Sequence, residues 1–299
     1  MNTPRNYAAV ASAFMAEVRA IPKLARQTGF SGLMFDALAP QLNLTELSAT
    51  GRREFRHAVT AFDQQLVGLR VDLGIRGLSP SVDLDRVLNQ FSRVLETAGG
   101  LMSPLVCVDL GPLPEPASPP KPVKKISADE AGLIIIPQSA AVEEPAKEEK
   151  KLDPVFAASV DTALVALGEL AERFSVMVAF RSELSSFAAL QRAMIAARCP
   201  WFGVDLDPVS ILRDEWSPNE IFSTMGPLIR HVRGRDAILG TERRTKPASI
   251  GRGDTKWDQL LGHLDETAYH GWITIDPMEL NDRAAALQSG LKFLRLHDA

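Results

Sequence analysis

The sequence predicts an α/β protein, a single (β/α)8 TIM barrel, on three observations. Short apolar runs alternate with helical stretches along almost the whole chain, the pattern of parallel βα units. A length of 299 residues suits one such barrel. No phosphate-binding glycine turn follows the first candidate strand, which counts against a doubly wound sheet.

The first strand, near "NYAAVA" (6–11), carries the weakest signal, because its alanines suit a helix equally. "FMAEVRAIPKLARQTGF" reads as helix and "GLMFDA" (32–37) as the second strand. "LSATGRREFRHAVTAFDQQ" is a helix with Arg52, Arg53 and Arg56 on a polar face, and "LVGLRVDLG" (66–74) is the third strand. "SVDLDRVLNQFSRVLETAGG" is an amphipathic helix that its two glycines are expected to close. "PLVCVDLG" (104–111) is nearly continuously apolar, as a strand buried on both faces of a parallel sheet should be.

Residues 112–153, rich in Pro, Lys and Glu, interrupt the pattern. Such composition buries too little apolar surface to offset the entropy of ordering, so it reads as a disordered or loosely packed insert. Only "GLIIIP" (132–137) is apolar enough for a short strand. Beyond the insert come "DPVFAASVDTALVALGELAERF" (helix, Pro154 in its first turn), "SVMVAF" (strand), "SSFAALQRAMIAAR" (helix), "WFGVDLD" (strand) and helix to about Met225. "LIRHVRGRD" (strand), "TKWDQLLGHLDETA" (helix), "GWITID" (strand) and "DRAAALQSGLKFLRLH" (helix) complete it. The same alternation on both sides makes 112–153 an elaboration of one domain, 1–299, in the loop after strand 4.

A net charge of −4 argues mildly against a nucleic-acid partner. The two cysteines, Cys107 and Cys199, are too few for a disulfide framework and read as small buried hydrophobes in a reducing compartment. No apolar run approaches the roughly 20 residues of a membrane span. "AVASA" near the N-terminus imitates a cleavage site, but Glu17 and Arg19 follow at once. A cytoplasmic protein without membrane or nucleic-acid partners is expected.

In a (β/α)8 barrel the side chains at the C-terminal strand ends converge on the mouth. Here those are Asp36, Asp72, Asp109, Arg181, Asp205 with Asp207, Arg233 or Arg235 with Asp236, and Asp276. Charges at so many strand ends do not suit a packing layer.

The C-terminal third, "HVRGRDA…IGRGDTKWDQLLGHLDETAYHGWITIDP", resembles the sugar phosphate isomerase/epimerase family, the xylose isomerase-like TIM barrels; Tyr269, Gly271 and Trp272 are its most specific part. "GFSGLMFDA" (29–37) fits the family's second strand. The resemblance implies a divalent metal held by a Glu ending strand 5, an Asp after strand 6, a His ending strand 7 and a Glu ending strand 8, with the two glutamates as acid and base. These positions fall on Arg181, Asp207, Arg233 and Asp276, and a further family His falls on Ser210. Only Asp207 is unchanged, and Asp276 is a shortened carboxylate. A guanidinium is always protonated and has no lone pair to give a cation. A degenerate metal site and no cofactor are therefore expected. A shifted register offers an alternative metal set of Glu183, Asp207, His231 and Asp276, with His231 otherwise a buried histidine bonded to a neighbouring strand end.

Two functions follow. One is proton transfer on a small sugar, polyol or sugar-phosphate ligand, with Asp207 and Asp276 as acid and base and Arg181, Arg233 and Arg235 binding substrate or anion. The other is a non-catalytic binding or scaffold barrel in which the arginines only pair with the aspartates. A DNA-repair endonuclease role is disfavoured by five histidines lying mostly away from the strand ends. "IGRGDTKW" (250–257) imitates a phosphate loop but reads as structural, with Thr255 and Asp258 as an N-capping pair. His57, His263 and His297 read as solvated helix residues; Trp201 and Trp216 flank either the mouth or the core.

Overall fold

The structure, a computed structural model, describes residues 5–117 and 152–298. Eight parallel strands close into a barrel: β1 (Asn6–Val10), β2 (Gly32–Asp36), β3 (Gln65–Asp72), β4 (Leu105–Asp109), β5 (Met177–Arg181), β6 (Phe202–Leu206), β7 (Ile229–Gly234) and β8 (Trp272–Ile275). Each pairs with its sequence neighbours, and β8 closes on β1 with Ile273 opposite Tyr7. The ambiguous first run is thus a strand, because β2 and β8 both need a partner there.

The outer ring comprises α1 (Ile21–Thr28), α2 (Ala49–Thr60), α3 (Leu84–Leu101), α4 (Pro154–Phe174), α5 (Phe187–Ala197), α6 (Pro208–Arg213), α7 (Pro218–Met225), α8 (Trp257–Glu266) and α9 (Arg283–Leu296). The starts follow local chemistry: Ser48, Asp83, Asp153, Ser186 and Ser217 each accept a backbone N–H of the turn they cap. α4 is 21 residues long and apolar enough by composition to cross a membrane. Here its Val160, Ala163, Leu164, Leu167 and Ala171 are buried within the core between strands and helices.

Several expectations are corrected. The first helix is shorter than expected: Ala11–Phe14 forms a 3-10 turn, and α1 begins only at Ile21, with Pro22 in its first turn. Gly99 and Gly100 lie inside α3, and Met102 takes the left-handed closing position (φ 56°). Thr255 caps nothing: the residue before α8 is Lys256, without a side-chain cap, and Thr255 Oγ1 is buried without a hydrogen-bond partner. The loose character expected over 112–153 does not hold at its described ends. Leu113 and Pro114 are buried, and the Leu113 N–H donates to Ser185 Oγ at 2.6 Å. At its far end Asp153 caps α4. "GLIIIP" lies outside the described residues.

Two irregular registers position the site. In the β2–β3 pairing a shift after Leu33 sets Met34 against Gly68 and Asp36 against Arg70. In the β6–β7 pairing a shift after Val204 sets Asp205 against His231. Within the barrel, Ala8, Met34, Val67, Leu105, Cys107 and Ala179 form an apolar cluster drawn only from strands β1 to β5. By strand alternation, Asp36, Asp109 and Arg181 come next above Met34, Cys107 and Ala179, and the register shift brings Arg70 level with Asp36. Met34 is 1% exposed at the centre of that cluster. Met34→Ala should therefore lower the unfolding free energy by about 3 kcal/mol, read from the denaturant midpoint; a change below about 1 kcal/mol would show that the interior is loosely packed.

Candidate functional site

The strand ends assemble four guanidinium groups and seven carboxylates into two facing networks, one around Asp207 and one around Asp276. Asp207 follows β6 and serves two structures at once. Its Oδ1 accepts the Val209 N–H at 3.0 Å, capping α6. Its Oδ2 accepts Arg181 Nη1 at 2.8 Å and Arg235 Nη1 at 2.6 Å. Arg181 Nη2 also reaches Asp109 Oδ2 at 2.8 Å and Glu183 Oε2 at 3.2 Å. Arg235 Nη2 reaches Glu279 at 2.6 Å and Glu183 at 3.4 Å. On the other side, Arg70 Nη1 and Arg233 Nη1 share Asp276 Oδ2, at 2.8 and 3.3 Å. Arg70 also pairs through Nε with Asp36, whose other oxygen accepts Ser12 Oγ at 2.8 Å.

One layer deeper, Asp205 and His231 are fully enclosed. Asp205 takes Arg233 Nε at 2.7 Å on one oxygen and His231 Nδ1 at 2.6 Å on the other, while His231 Nε2 meets Thr274 Oγ1 at 2.7 Å. His231 therefore spans β6 to β8 as a satisfied core residue.

The electrostatics follow the partner count. Burial alone would raise the carboxyls of Asp205, Asp207 and Asp276, but the guanidinium groups outweigh it and hold all three below the usual carboxylate range. For Asp205 the main opposing charges are Arg233 and His231, for Asp207 Arg235 and Arg181, and for Asp276 Arg70 and Arg233. Asp109, with one guanidinium, goes the other way: burial pushes it up more than Arg181 pulls it down. Two carboxylates pinned down by two guanidinium groups each are weak bases, which counts against the acid–base roles expected of Asp207 and Asp276.

Between these groups lies a cavity of about 320 Å³, open at the C-terminal face. Arg70, Arg181, Arg233, Arg235, Asp109 and Asp276 line it. No hydrogen-bond partner among the described residues occupies Nη2 of Arg70 or Nη2 of Arg233. Seven carboxylates against four guanidinium groups leave the mouth net negative.

Residues 22–297 match the family model described as xylose isomerase-like TIM barrel. The chain belongs to the xylose isomerase-like TIM barrel family. A comparison with curated proteins finds no match. Solved structures share the fold at low identity. The IolI protein with a bound zinc atom has a TM-score of 0.72 at 13% identity, covering 98% of each chain. The xylose isomerase domain protein of Planctomyces limnophilus has a TM-score of 0.70 at 15% identity, over 98% of this chain and 96% of that one. D-psicose 3-epimerase of Clostridium cellulolyticum H10, solved with D-tagatose, has a TM-score of 0.69 at 14% identity, over 97% and 98%.

The donor set of this family member does not fit a divalent metal at the mouth. Asp207 Oδ2 faces two guanidinium groups, and the positions that the resemblance assigns to a metal-binding glutamate and histidine hold Arg181 and Arg233. The alternative set of Glu183, Asp207, His231 and Asp276 is not assembled, because both ring nitrogens of His231 are engaged a layer below the mouth. Among the described residues, one cluster has metal-ligating atoms within 4.8 Å of one another: Cys107, Asp205 and His231, all buried. Arg233 and His231 occupy the two oxygens of Asp205, and burial pushes the Cys107 thiol up, away from the thiolate a metal needs.

Not every expected residue joins the site. Asp72 lines the cavity but spends Oδ1 on the Gly74 N–H at 2.7 Å. Asp236 turns away from the mouth, and its carboxylate accepts the backbone N–H groups of Ala237, Gly251, Gly253 and Thr255 at 2.8–3.2 Å. The loop that imitates a phosphate site is thus closed on the chain's own carboxylate. Trp201 precedes β6 at the far end of the barrel, and Trp216 packs on Phe187 with ring centroids 5.3 Å apart. Arg70 and Glu279 were not expected. A strand-end rule selects Asp72 and overlooks Arg70 two residues earlier on the same face, although an arginine within an otherwise apolar strand was a usable signal.

Two outcomes test the networks. The depressed carboxylates stabilise the fold fully above their unfolded value of about 3.9, and that contribution is lost as pH falls through their native values. The urea midpoint should therefore drop steadily below about pH 4, and one that stays constant from pH 5 to pH 3 would contradict the pairing. Arg233→Met leaves Asp205 and Asp276 short of a partner and should cost about 3–5 kcal/mol of stability by denaturant titration.

Proposed function

We propose that the mouth binds a small uncharged sugar or polyol and shifts a proton next to its carbonyl, with guanidinium groups doing the polarising work of a metal. The observation that carries this is the pair of free nitrogens, Nη2 of Arg70 and of Arg233, on guanidinium groups bridged by Asp276 beside the cavity. Fixed donors of this kind stabilise an oxygen on which charge develops, and they need no reorganisation when it does. Arg181 and Arg235 hold the opposite wall through Asp207.

Net charge selects against a sugar phosphate. A dianion would enter a mouth where carboxylates outnumber guanidinium groups. To gain a bidentate arginine it would have to displace a carboxylate, leaving an uncompensated buried charge worth about 3–5 kcal/mol. Neutral hydroxyls meet no such penalty and find acceptors at the rim, such as Glu279 and Glu183. Epimerases of the same fold, solved with sugars such as D-tagatose and D-allulose, make a sugar the first class to try. The weak basicity of Asp207 and Asp276 favours a second reading, a barrel that binds without turnover.

Thermal shift and calorimetry on chelator-treated protein test the proposal with D-psicose, D-tagatose, D-fructose and D-fructose 6-phosphate. A neutral ketose should raise the melting temperature without added metal, and the phosphate ester should not. Binding of the phosphate ester alone, or binding that returns only with Mn or Zn, overturns it. Binding without deuterium exchange next to the carbonyl selects the second reading.

A further inference from the structure

We propose that Asp109, backed by Asp72, is the carboxyl that moves protons at the mouth; the role rests on the sugar-binding reading above. Strand register places Asp72, Asp109 and Arg181 side by side at the ends of β3, β4 and β5. Neighbouring strands lie roughly 4.8 Å apart, so the two carboxyls are adjacent. Both line the cavity.

Their surroundings differ as a proton-transfer pair requires. Asp109 is 5% exposed. Its Oδ1 accepts the Gly111 N–H at 3.0 Å, and its Oδ2 lies in an ion pair 2.8 Å from one guanidinium nitrogen, Arg181 Nη2. Arg181 is itself divided among Asp109, Glu183 and Asp207. The Asp109 carboxyl is therefore under-compensated beside Asp207 and Asp276, each of which has two guanidinium groups on one oxygen. Burial first, and Asp72 in a smaller measure, push it up; Arg181 and the Gly111 N–H oppose them. Asp72 is exposed, and its Oδ2 has no partner among the described residues, so it connects the wall to bulk water. Two neighbouring carboxyls in unlike surroundings are a common way to divide the holding and the supply of a proton.

The step balances without a co-reactant. The Asp109 carboxylate takes the proton from the carbon next to the ketose carbonyl. The C–H electron pair forms the C=C bond while the carbonyl π pair moves to oxygen, and the guanidinium groups of Arg70 and Arg233 hold the resulting enolate. Asp109, now protonated, returns a proton to carbon, and exchange through Asp72 lets solvent deuterium enter.

Carbon-13 NMR of Asp-labelled protein between pH 3 and 8, assigned with Asp109→Asn, should show Asp109 titrating above Asp207 and Asp276, and its midpoint should fall in Asp72→Asn. In D2O with D-psicose, deuterium incorporation next to the carbonyl should drop about 100-fold or more in Asp109→Asn, while the thermal shift with D-psicose persists and Asp109→Glu recovers part of the rate. Asp109 titrating with or below Asp207 and Asp276, or exchange in Asp109→Asn within about tenfold of the parent, overturns the assignment. If the parent protein neither binds nor exchanges the ketose, the sugar reading fails, and the titration alone decides the fate of Asp109.

Discussion

A single carboxylate oxygen, Oδ2 of Asp207, receives one guanidinium group from the end of β5 and another from just beyond β7, while the other oxygen caps α6. Much of the mouth depends on that contact. With Asp207 between them, the like charges of Arg181 and Arg235 can share one wall without mutual repulsion dominating. Arg181 is then held where it reaches Asp109, and Arg235 where it reaches Glu279. The α6 cap fixes the carboxylate itself, so the position of the charges is set by backbone and not by flexible side chains.

The same logic recurs across the cavity with Asp276 between Arg70 and Arg233, and again one layer down with Asp205 between Arg233 and His231. Arg233 links the two levels. A metal-centred mouth would concentrate positive charge at one point, with carboxylates converging on it. Here the charge is spread over four planar cations, and Asp207 and Asp276 are each shared between two of them. Spreading preserves the electrostatic reason for carboxylates at the strand ends while removing the lone pairs an ion would need.

The fold was largely legible because alternation of apolar runs and helices is a long-range signal that averages over local ambiguity. Even "NYAAVA", undecided alone, becomes a strand once closure demands a partner for β2 and β8. Local details were less legible. Met102 closes α3 in place of Gly99 or Gly100, and Thr255 caps nothing, because these ends depend on how the next segment packs. At the site, Arg181, Asp207, Arg233 and Asp276 do meet in salt-bridge pairs, since strand ends of a closed barrel must converge. Arg70 escaped because the position that matters lies below the strand end, set against Asp36 by an irregular register invisible in a single strand. The departure of Asp236 was hidden too: three of its four backbone partners come from a loop 15 to 19 residues away.

Shared carboxylates also determine what the arginines can still do. Each guanidinium presents five N–H bonds in a fixed plane, and a bond given to a buried aspartate is withdrawn only by stranding that aspartate. Arg181 and Arg235 are spent on several carboxylates at once, so they act as scaffold. Arg70 and Arg233 each retain Nη2, and their common partner Asp276 keeps the two groups close together. Under the proposed reading, a ligand oxygen held there would meet donors already oriented and partly neutralised, strong enough to polarise a carbonyl yet too compensated to trap a dianion. Selectivity for an uncharged ligand would then come from charge sharing among the mouth's own side chains and need no separate device to exclude phosphate.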